Sequence, residues 1–215
     1  MTAPLKIKVC GLLEPENIRA VDQLGPDYLG YIFYAQSPRN MDKNPANLPE
    51  TKARRVGVFV DADFDTLVKK ARYFKLQTIQ LHGNETPETC IRLKDLGFEV
   101  FKAFAIGEAS TQSLLIPYKD ACDLFLFDAK TEMKGGSGKK FNWNKLNELA
   151  SIGPFMLSGG IGPDDADAIR ELDFLNLIGV DLNSRFEIEP GVKVAATLGK
   201  FMDRLRKQQL NIKHL

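Results

Sequence analysis

Two histidines and three cysteines are all the imidazole and thiolate ligands this 215-residue chain offers a transition metal. Cys10, Cys90 and Cys122 are far apart, odd in number and form no Cys-x-x-Cys pair. That usage argues against a disulfide framework and against a thiolate zinc site. No His/Asp/Glu grouping has metal-ligand spacing, so no metal is expected. Reduced thiols in a cytoplasmic protein are the simpler reading. No apolar run approaches the ~18 residues of a spanning helix, and the first eight residues lack the apolar stretch of a signal peptide. No charge dominates either: 29 Lys and Arg against 28 Asp and Glu leave +1, which gives no overall pull toward nucleic acid or membrane. Gly-x-Gly-x-x-Gly does not occur. Lys134–Lys140 hints at a P-loop, but the Walker pattern needs Gly at 133 and Ser or Thr at 140, where Met133 and Lys140 stand.

What remains is an alternation of short apolar runs with amphipathic stretches. Eight strand candidates stand out: Lys6–Cys10, Tyr28–Phe33, Arg55–Val60, Thr78–Leu81, Glu99–Ala103, Leu124–Asp128, Phe155–Ser158 and Leu177–Asp181. They are rich in Val, Ile, Leu or Phe and largely without polar alternation, as parallel strands buried on both faces require. Helices are expected over Pro15–Leu24, which stops at Gly25, and over Phe64–Phe74 behind the N-cap Asp63. Others are expected over Thr86–Leu96, Asp164–Leu172 and Val192–Gln208, the last with Val194, Leu198, Phe201, Met202 and Leu205 on one stripe. Ser37–Lys52, with its three prolines, suits only a short helix. With no linker or composition break, residues 1–215 read as one domain. Eight strand–helix units exceed the usual doubly wound sheet and fit a small closed (β/α)8 TIM barrel.

That fold places chemistry just after each strand. Phosphate commonly sits on the loops after strands seven and eight, here Ser158-Gly159-Gly160 and Asp181-Leu182-Asn183-Ser184. Glycine lets backbone N–H groups approach an anion closely; two ordinary tight turns would read the same way. Cys10 is either a buried apolar cysteine or a base, and Lys8, two residues earlier on the same strand face, would favour the thiolate. Asp128 ends a very apolar strand, where a carboxyl can serve as a general acid or merely cap a turn. His82 is open between pocket and loop cap. Arg39, after a Ser-Pro turn, is either a planar fork for a carboxylate or a solvated surface arginine. The glycine-rich stretch after Asp128 reads as a lid. Cys90 and Cys122, on or near helices, look like core residues.

Taken together these segments resemble the phosphoribosylanthranilate isomerase family. The matching pieces are Lys8-Val9-Cys10-Gly11-Leu12, Gly30-Tyr31-Ile32-Phe33-Tyr34 with Ser37-Pro38-Arg39, and Val56–Val60. They continue through Ile79–Glu85, Asp128 with Gly135–Lys139, Ser158–Ile161, Gly179-Val180-Asp181 and Glu189–Lys193. The resemblance implies a cofactor-free Amadori rearrangement of phosphoribosylanthranilate to 1-(2-carboxyphenylamino)-1-deoxyribulose 5-phosphate in tryptophan biosynthesis. It implies Asp128 as general acid, Cys10 as general base, and Arg39 on the anthranilate carboxylate. Lys8, Gln80 and His82 would line the pocket. Gly159, Gly160, Asp181, Asn183 and Ser184 would hold the phosphate. The partner would be a phosphorylated small molecule, with the protein a monomer or homodimer.

One departure is visible: where the family usually has Ser-Gly in this loop, here Ser184 is followed by Arg185 in place of the glycine. Arginine disfavours φ > 0, so either the turn differs or the guanidinium adds to the phosphate grip. Rival readings are a ribulose-phosphate epimerase, whose metal-binding histidines are missing here, an indole-glycerol-phosphate synthase, which uses lysine and glutamate at strand ends where this chain places Cys10 and Asp128, and a non-catalytic phosphometabolite-binding barrel. Cys10 and Asp128 discriminate, since binding alone needs neither acid nor base.

Overall fold

The computed structural model describes residues 4–43, 48–107, 110–129, 146–174 and 176–206. Lys134–Lys140, the expected lid, and the tail Asn211–Leu215 lie outside the described residues, as does Gln208.

Eight parallel strands close in sequence order: β1 (Lys6–Cys10), β2 (Tyr28–Phe33), β3 (Arg54–Phe59), β4 (Thr78–Leu81), β5 (Glu99–Ile106), β6 (Leu124–Ala129), β7 (Phe155–Ser158) and β8 (Leu177–Leu182). β8 returns to β1, with Lys6 opposite Gly179 and Lys8 opposite Asp181. The lack of polar alternation has the expected cause. Ile7, Val9, Leu29 and Tyr31 point outward into the core shared with the helices. Cys10, Tyr28, Val56, Val58, Phe101, Leu124 and Met156 fill the barrel itself. A chain buried on both faces has no side to leave polar.

The first three helices start where capping chemistry places them. α1 (Pro15–Asp22) has proline in its first turn, and Gly25 beyond it takes φ 71°. α2 (Phe64–Tyr73) begins behind Asp63, whose carboxylate accepts from Thr66 N at 2.9 Å. α3 (Pro87–Asp95) begins behind Thr86. Two further short helices, α4 (Gln112–Leu115) and α5 (Leu146–Ala150), were not anticipated; four or five residues give too little periodicity to read. Between β2 and β3 only a 3-10 turn, Met41–Lys43, is present among the described residues.

Two helix expectations need correction. The sixth helix is the shorter α6 (Ala166–Arg170), because Asp165 instead accepts from Gly162 N at 2.8 Å and shapes the preceding loop. The last helix does not begin at Val192. Val192–Lys193 form β10, paired antiparallel with β9 (Glu187–Glu189), and α7 runs over Ala195–Arg206. Leu198, Phe201, Met202 and Leu205 are its buried stripe, whereas Val194 is exposed outside it. The short hairpin before α7 stands beside the barrel mouth and supplies residues to the site.

Candidate active site

The centre of the site follows from strand register. Lys8 and Asp181 are direct partners on β1 and β8, so their side chains meet inside the barrel. Lys8 Nζ donates to Asp181 Oδ1 at 2.9 Å and to Oδ2 at 3.0 Å. Their side chains are 0% and 5% exposed. Burial opposes the Lys8 charge, but Asp181 and Cys10 outweigh it and hold the ammonium above its usual range. Burial drives the Asp181 carboxyl up while Lys8 pulls it back; one ammonium bonded to both oxygens fits the ion pair.

Both oxygens of Asp181 are thus engaged by Lys8, and both side chains lie inside the barrel.

Cys10, one turn of the pleat above Lys8, is also buried. Burial pushes its thiol above the ordinary range; Lys8 and Lys193 pull it down, and Asp181 pushes it up. Lys8 therefore favours the thiolate as expected, but burial wins in the free protein. The other cysteines are core residues, with burial raising Cys90 to about 11 and Cys122 to about 12.

Across the mouth, β4 and β6 bring three side chains into a row. Gln80 Nε2 lies 2.9 Å from His82 Nδ1, and His82 Nε2 lies 3.5 Å from Asp128 Oδ2. The apolar run Leu124–Phe127 does not enclose Asp128: its side chain is 23% exposed at the rim. Gln80 is buried, and its Oε1 has no hydrogen-bond partner among the described residues.

The loop carrying His82 is clamped by residues that sequence reasoning did not single out. Lys102 Nζ, on β5, donates to Gly83 O at 2.7 Å and Leu81 O at 3.3 Å, and pairs with Glu85 at 3.3 Å. Glu85 in turn accepts from Asp61 N and Gly83 N at 2.9 Å each.

On the β2 side, Ser37 Oγ accepts from Arg39 N at 3.1 Å and turns Arg39 toward the mouth. Its guanidinium does not stand free. Nε lies 2.9 Å from Glu187 Oε1 and Nη2 lies 2.5 Å from Oε2. Lys193 Nζ reaches Glu187 Oε1 at 2.5 Å and Asn183 Oδ1 at 2.8 Å. Burial pushes the Glu187 carboxyl up, but Arg39 and Lys193 outweigh it and hold it below the usual range. Burial pulls Lys193 down against Glu187; donation to two oxygens marks the ammonium.

Gly11, at φ 76°, makes room for this cluster, since a Cβ there would lie 2.6 Å from Arg39 Cδ and 2.7 Å from Asn183 Oδ1. Glu187 and Lys193 escaped the sequence reading because they flank Glu189-Pro190-Gly191, and only the hairpin sets them face to face.

The loops after β7 and β8 have the form an anion site needs. Gly159 and Gly160 take φ 92° and 68°, conformations that cost a side chain about 1–2 kcal/mol. After Asn183 the chain makes a 3-10 turn, Ser184–Phe186. Arg185 is exposed and is not among the positive-φ residues, so the turn itself removes the conflict its bulk would have caused. Its Nε lies 3.5 Å from where a Cβ on Gly162 would stand, which places it beside the β7 loop.

Among the described residues no group of three or more His, Cys, Asp and Glu could hold a metal ion, and no helix is long and apolar enough to cross a membrane.

A thiol, a carboxyl and an anion-ready loop pair around one mouth of a closed eight-stranded barrel define a small (β/α)8-barrel enzyme. The chain belongs to the N-(5'-phosphoribosyl)anthranilate isomerase family: the model described as "N-(5'phosphoribosyl)anthranilate (PRA) isomerase" matches residues 7–204. It is 44% identical over 202 residues to the enzyme of that name from Phocaeicola vulgatus, covering 94% of this chain and 98% of that one. It is 42% identical to that of Parabacteroides distasonis, covering 93% and 92%. Among solved structures, a phosphoribosylanthranilate isomerase from Thermotoga maritima, described as monomers generated from a dimeric enzyme, superposes with a TM-score of 0.78 at 26% identity, over 94% of this chain and 98% of that one. Another isomerase of the family has been solved in complex with reduced 1-(o-carboxyphenylamino)-1-deoxyribulose 5-phosphate, with a TM-score of 0.76 at 25% identity, over 94% and 98% of the two chains.

Proposed function

We propose that this isomerase converts N-(5'-phosphoribosyl)anthranilate to 1-(2-carboxyphenylamino)-1-deoxyribulose 5-phosphate, the Amadori step of tryptophan biosynthesis. The observation that carries the reading is the order of groups around the mouth. Cys10 on β1 and Asp128 on β6 are separated on one side only by β7 and β8, whose loops hold Gly159, Gly160, Asn183 and Ser184. Arg39 follows β2, on the other side of Cys10. A substrate with its phosphate over the β7 and β8 loops and its carboxylate toward Arg39 therefore has its sugar between the acid and the base.

In the first step Asp128 gives its proton to the furanose ring oxygen as the C1–O bond breaks, leaving a protonated Schiff base at C1. The Cys10 thiolate then takes the C2 proton, and those electrons form the C1–C2 double bond of an enolamine. Tautomerisation then moves the C2 hydroxyl proton to C1 and gives the ketone, and the proton held by Cys10 returns to Asp128 through solvent, so both groups are restored and no electron leaves the molecule. One acid and one base on opposite sides of the sugar suffice. Their unlike settings, a buried thiol among cations and a carboxyl at the rim beside His82, suit unlike roles. The ligand is a phosphorylated small molecule, the location cytoplasmic and the assembly a monomer or homodimer.

The direct test is the loss of phosphoribosylanthranilate fluorescence on adding purified protein to fresh substrate. Turnover with formation of the carboxyphenylamino-deoxyribulose phosphate is expected. Absence of turnover would leave a phosphometabolite-binding barrel.

A further inference from the structure

The β9–β10 hairpin is fixed to the barrel at several points. Asn17 and Lys193 exchange two hydrogen bonds of 2.8 Å, from Asn17 Nδ2 to Lys193 O and from Lys193 N to Asn17 Oδ1. Leu13 N donates to Gly191 O at 3.3 Å. Gly191, at φ 96°, lies so close to Leu13 that a Cβ there would meet its side chain at 2.6 Å. Glu187 and Lys193 are cross-strand partners in this hairpin, and Gly191 N also donates to Glu187 Oε1 at 3.2 Å. The carboxylate of Glu187, 4% exposed, is thus held by Lys193 Nζ and Gly191 N before it meets Arg39.

Glu187 occupies the Nε and one Nη2 position of the guanidinium; Nη1 has no partner among the described residues. A planar fork pinned along one edge keeps the other edge in one orientation. A flexible arginine must lose rotamer freedom when it binds an anion, and one already pinned loses less.

We propose that Glu187, held in turn by Lys193, is a positioning residue that aims the free edge of Arg39 at the carboxylate of the substrate. Glu187 itself touches no reacting atom. Because its charge is balanced by two cations, it orients Arg39 without cancelling the pull on an incoming anion. This inference rests on the function proposed above and deepens it at the anthranilate end.

The test is a double-mutant cycle between Glu187→Gln and Arg39→Ala, read by steady-state kinetics. In the native background Glu187→Gln is expected to raise KM about tenfold, the scale of one charge-assisted contact, with kcat nearly unchanged. In the Arg39→Ala background it is expected to change KM no further. Affinity for reduced 1-(o-carboxyphenylamino)-1-deoxyribulose 5-phosphate should fall, whereas competitive inhibition by inorganic phosphate, which lacks the carboxylate, should not.

KM effects that multiply in the two backgrounds, or an equal loss of phosphate inhibition, would overturn the proposal, because a general loosening of the mouth acts on both ends. If Glu187→Gln fails to fold, Glu187→Asp keeps the charge on a shorter stem and is expected to shift KM in the same direction by less; an unchanged KM there would also overturn it. Native protein without turnover rejects the function proposed above. Native turnover with an unaltered KM in Glu187→Gln rejects only the positioning role.

Discussion

His82 Nε2 lies 3.5 Å from Asp128 Oδ2, and the amide of Gln80 lies 2.9 Å from the opposite ring nitrogen. The imidazole of His82 thus stands between the Gln80 amide and the Asp128 carboxyl. His82 is therefore placed to orient the carboxyl proposed above as the acid. His82→Ala is expected to lower kcat about tenfold with KM within about twofold, on the scale of one lost polar contact. Gln80→Leu should act in the same direction and more weakly. Unchanged kcat in His82→Ala would show that Asp128 needs no such support.

Asp128→Ala and Cys10→Ala should each lower kcat by about 10²–10⁴, the range for a positioned acid or base. Both should keep the fold. Asp128 stands at the rim, and Cys10→Ala removes only a sulfur from a barrel interior otherwise filled by Tyr28, Val58, Phe101 and Met156. Circular dichroism checks the fold and the fluorescence assay the rate. Native turnover in Asp128→Ala would remove it from the acid role.

The barrel was legible because each strand carries its own signal, an apolar run, and several helices start at a readable residue, as α2 does behind Asp63 and α3 behind Thr86. Cys10, Arg39, His82 and Asp128 were legible for a related reason: in this fold the residue after a strand is at the mouth. Glu187 and Lys193 were not, because their meeting depends on a seven-residue hairpin whose second strand, Val192–Lys193, looked like the start of the last helix. Lys102 was equally silent. A lysine in an apolar strand carries no sign that its ammonium will collect the carbonyls of Leu81 and Gly83. The Lys8–Asp181 pair was silent for a register reason: only the pairing of β1 with β8 sets the two opposite each other.

The Lys8–Asp181 pair separates stability from function. Removing one partner leaves an unpaired charge in the barrel, so Lys8→Met or Asp181→Asn should destabilise by about 3–5 kcal/mol. Replacing both, as Lys8→Met with Asp181→Leu, should recover most of that stability, since apolar pairs of similar volume are well tolerated in such sites. The double variant should remain nearly inactive, because Cys10 loses the ammonium that draws its thiol down. Urea unfolding and turnover read the two effects separately. A double variant as active as the native protein would make the pair purely structural.

Glu187 gives stability a pH dependence of definite sign. Its carboxyl is held below the usual range in the folded chain. The stability it contributes is therefore fully present above the unfolded value of about 4.3 and is lost as pH falls through the lower folded value. At pH 7, Glu187→Gln should be less stable than native by about 2 kcal/mol, as for a hydrogen-bonded charge. Below about pH 4 the urea midpoints of the two proteins should converge as Glu187 takes up its proton. A constant difference from pH 7 into that range would show that the charge of Glu187 contributes nothing.

The phosphate end makes the last prediction. Gly160 sits at φ 68°, where alanine costs about 1 kcal/mol and places a methyl beside the anion's approach. Ser184→Ala removes an exposed hydroxyl from the facing loop. Together they should raise KM and weaken inhibition by inorganic phosphate, with kcat changed less. Arg185 distinguishes two accounts of its departure from the family pattern. If its guanidinium grips the phosphate from beside Gly162, Arg185→Ala raises KM several-fold, the scale of an exposed charge-assisted contact. Added salt then weakens the native enzyme more than the variant. If the 3-10 turn alone matters, Arg185→Ala leaves both KM and its salt dependence unchanged, because the turn needs no particular side chain at that position.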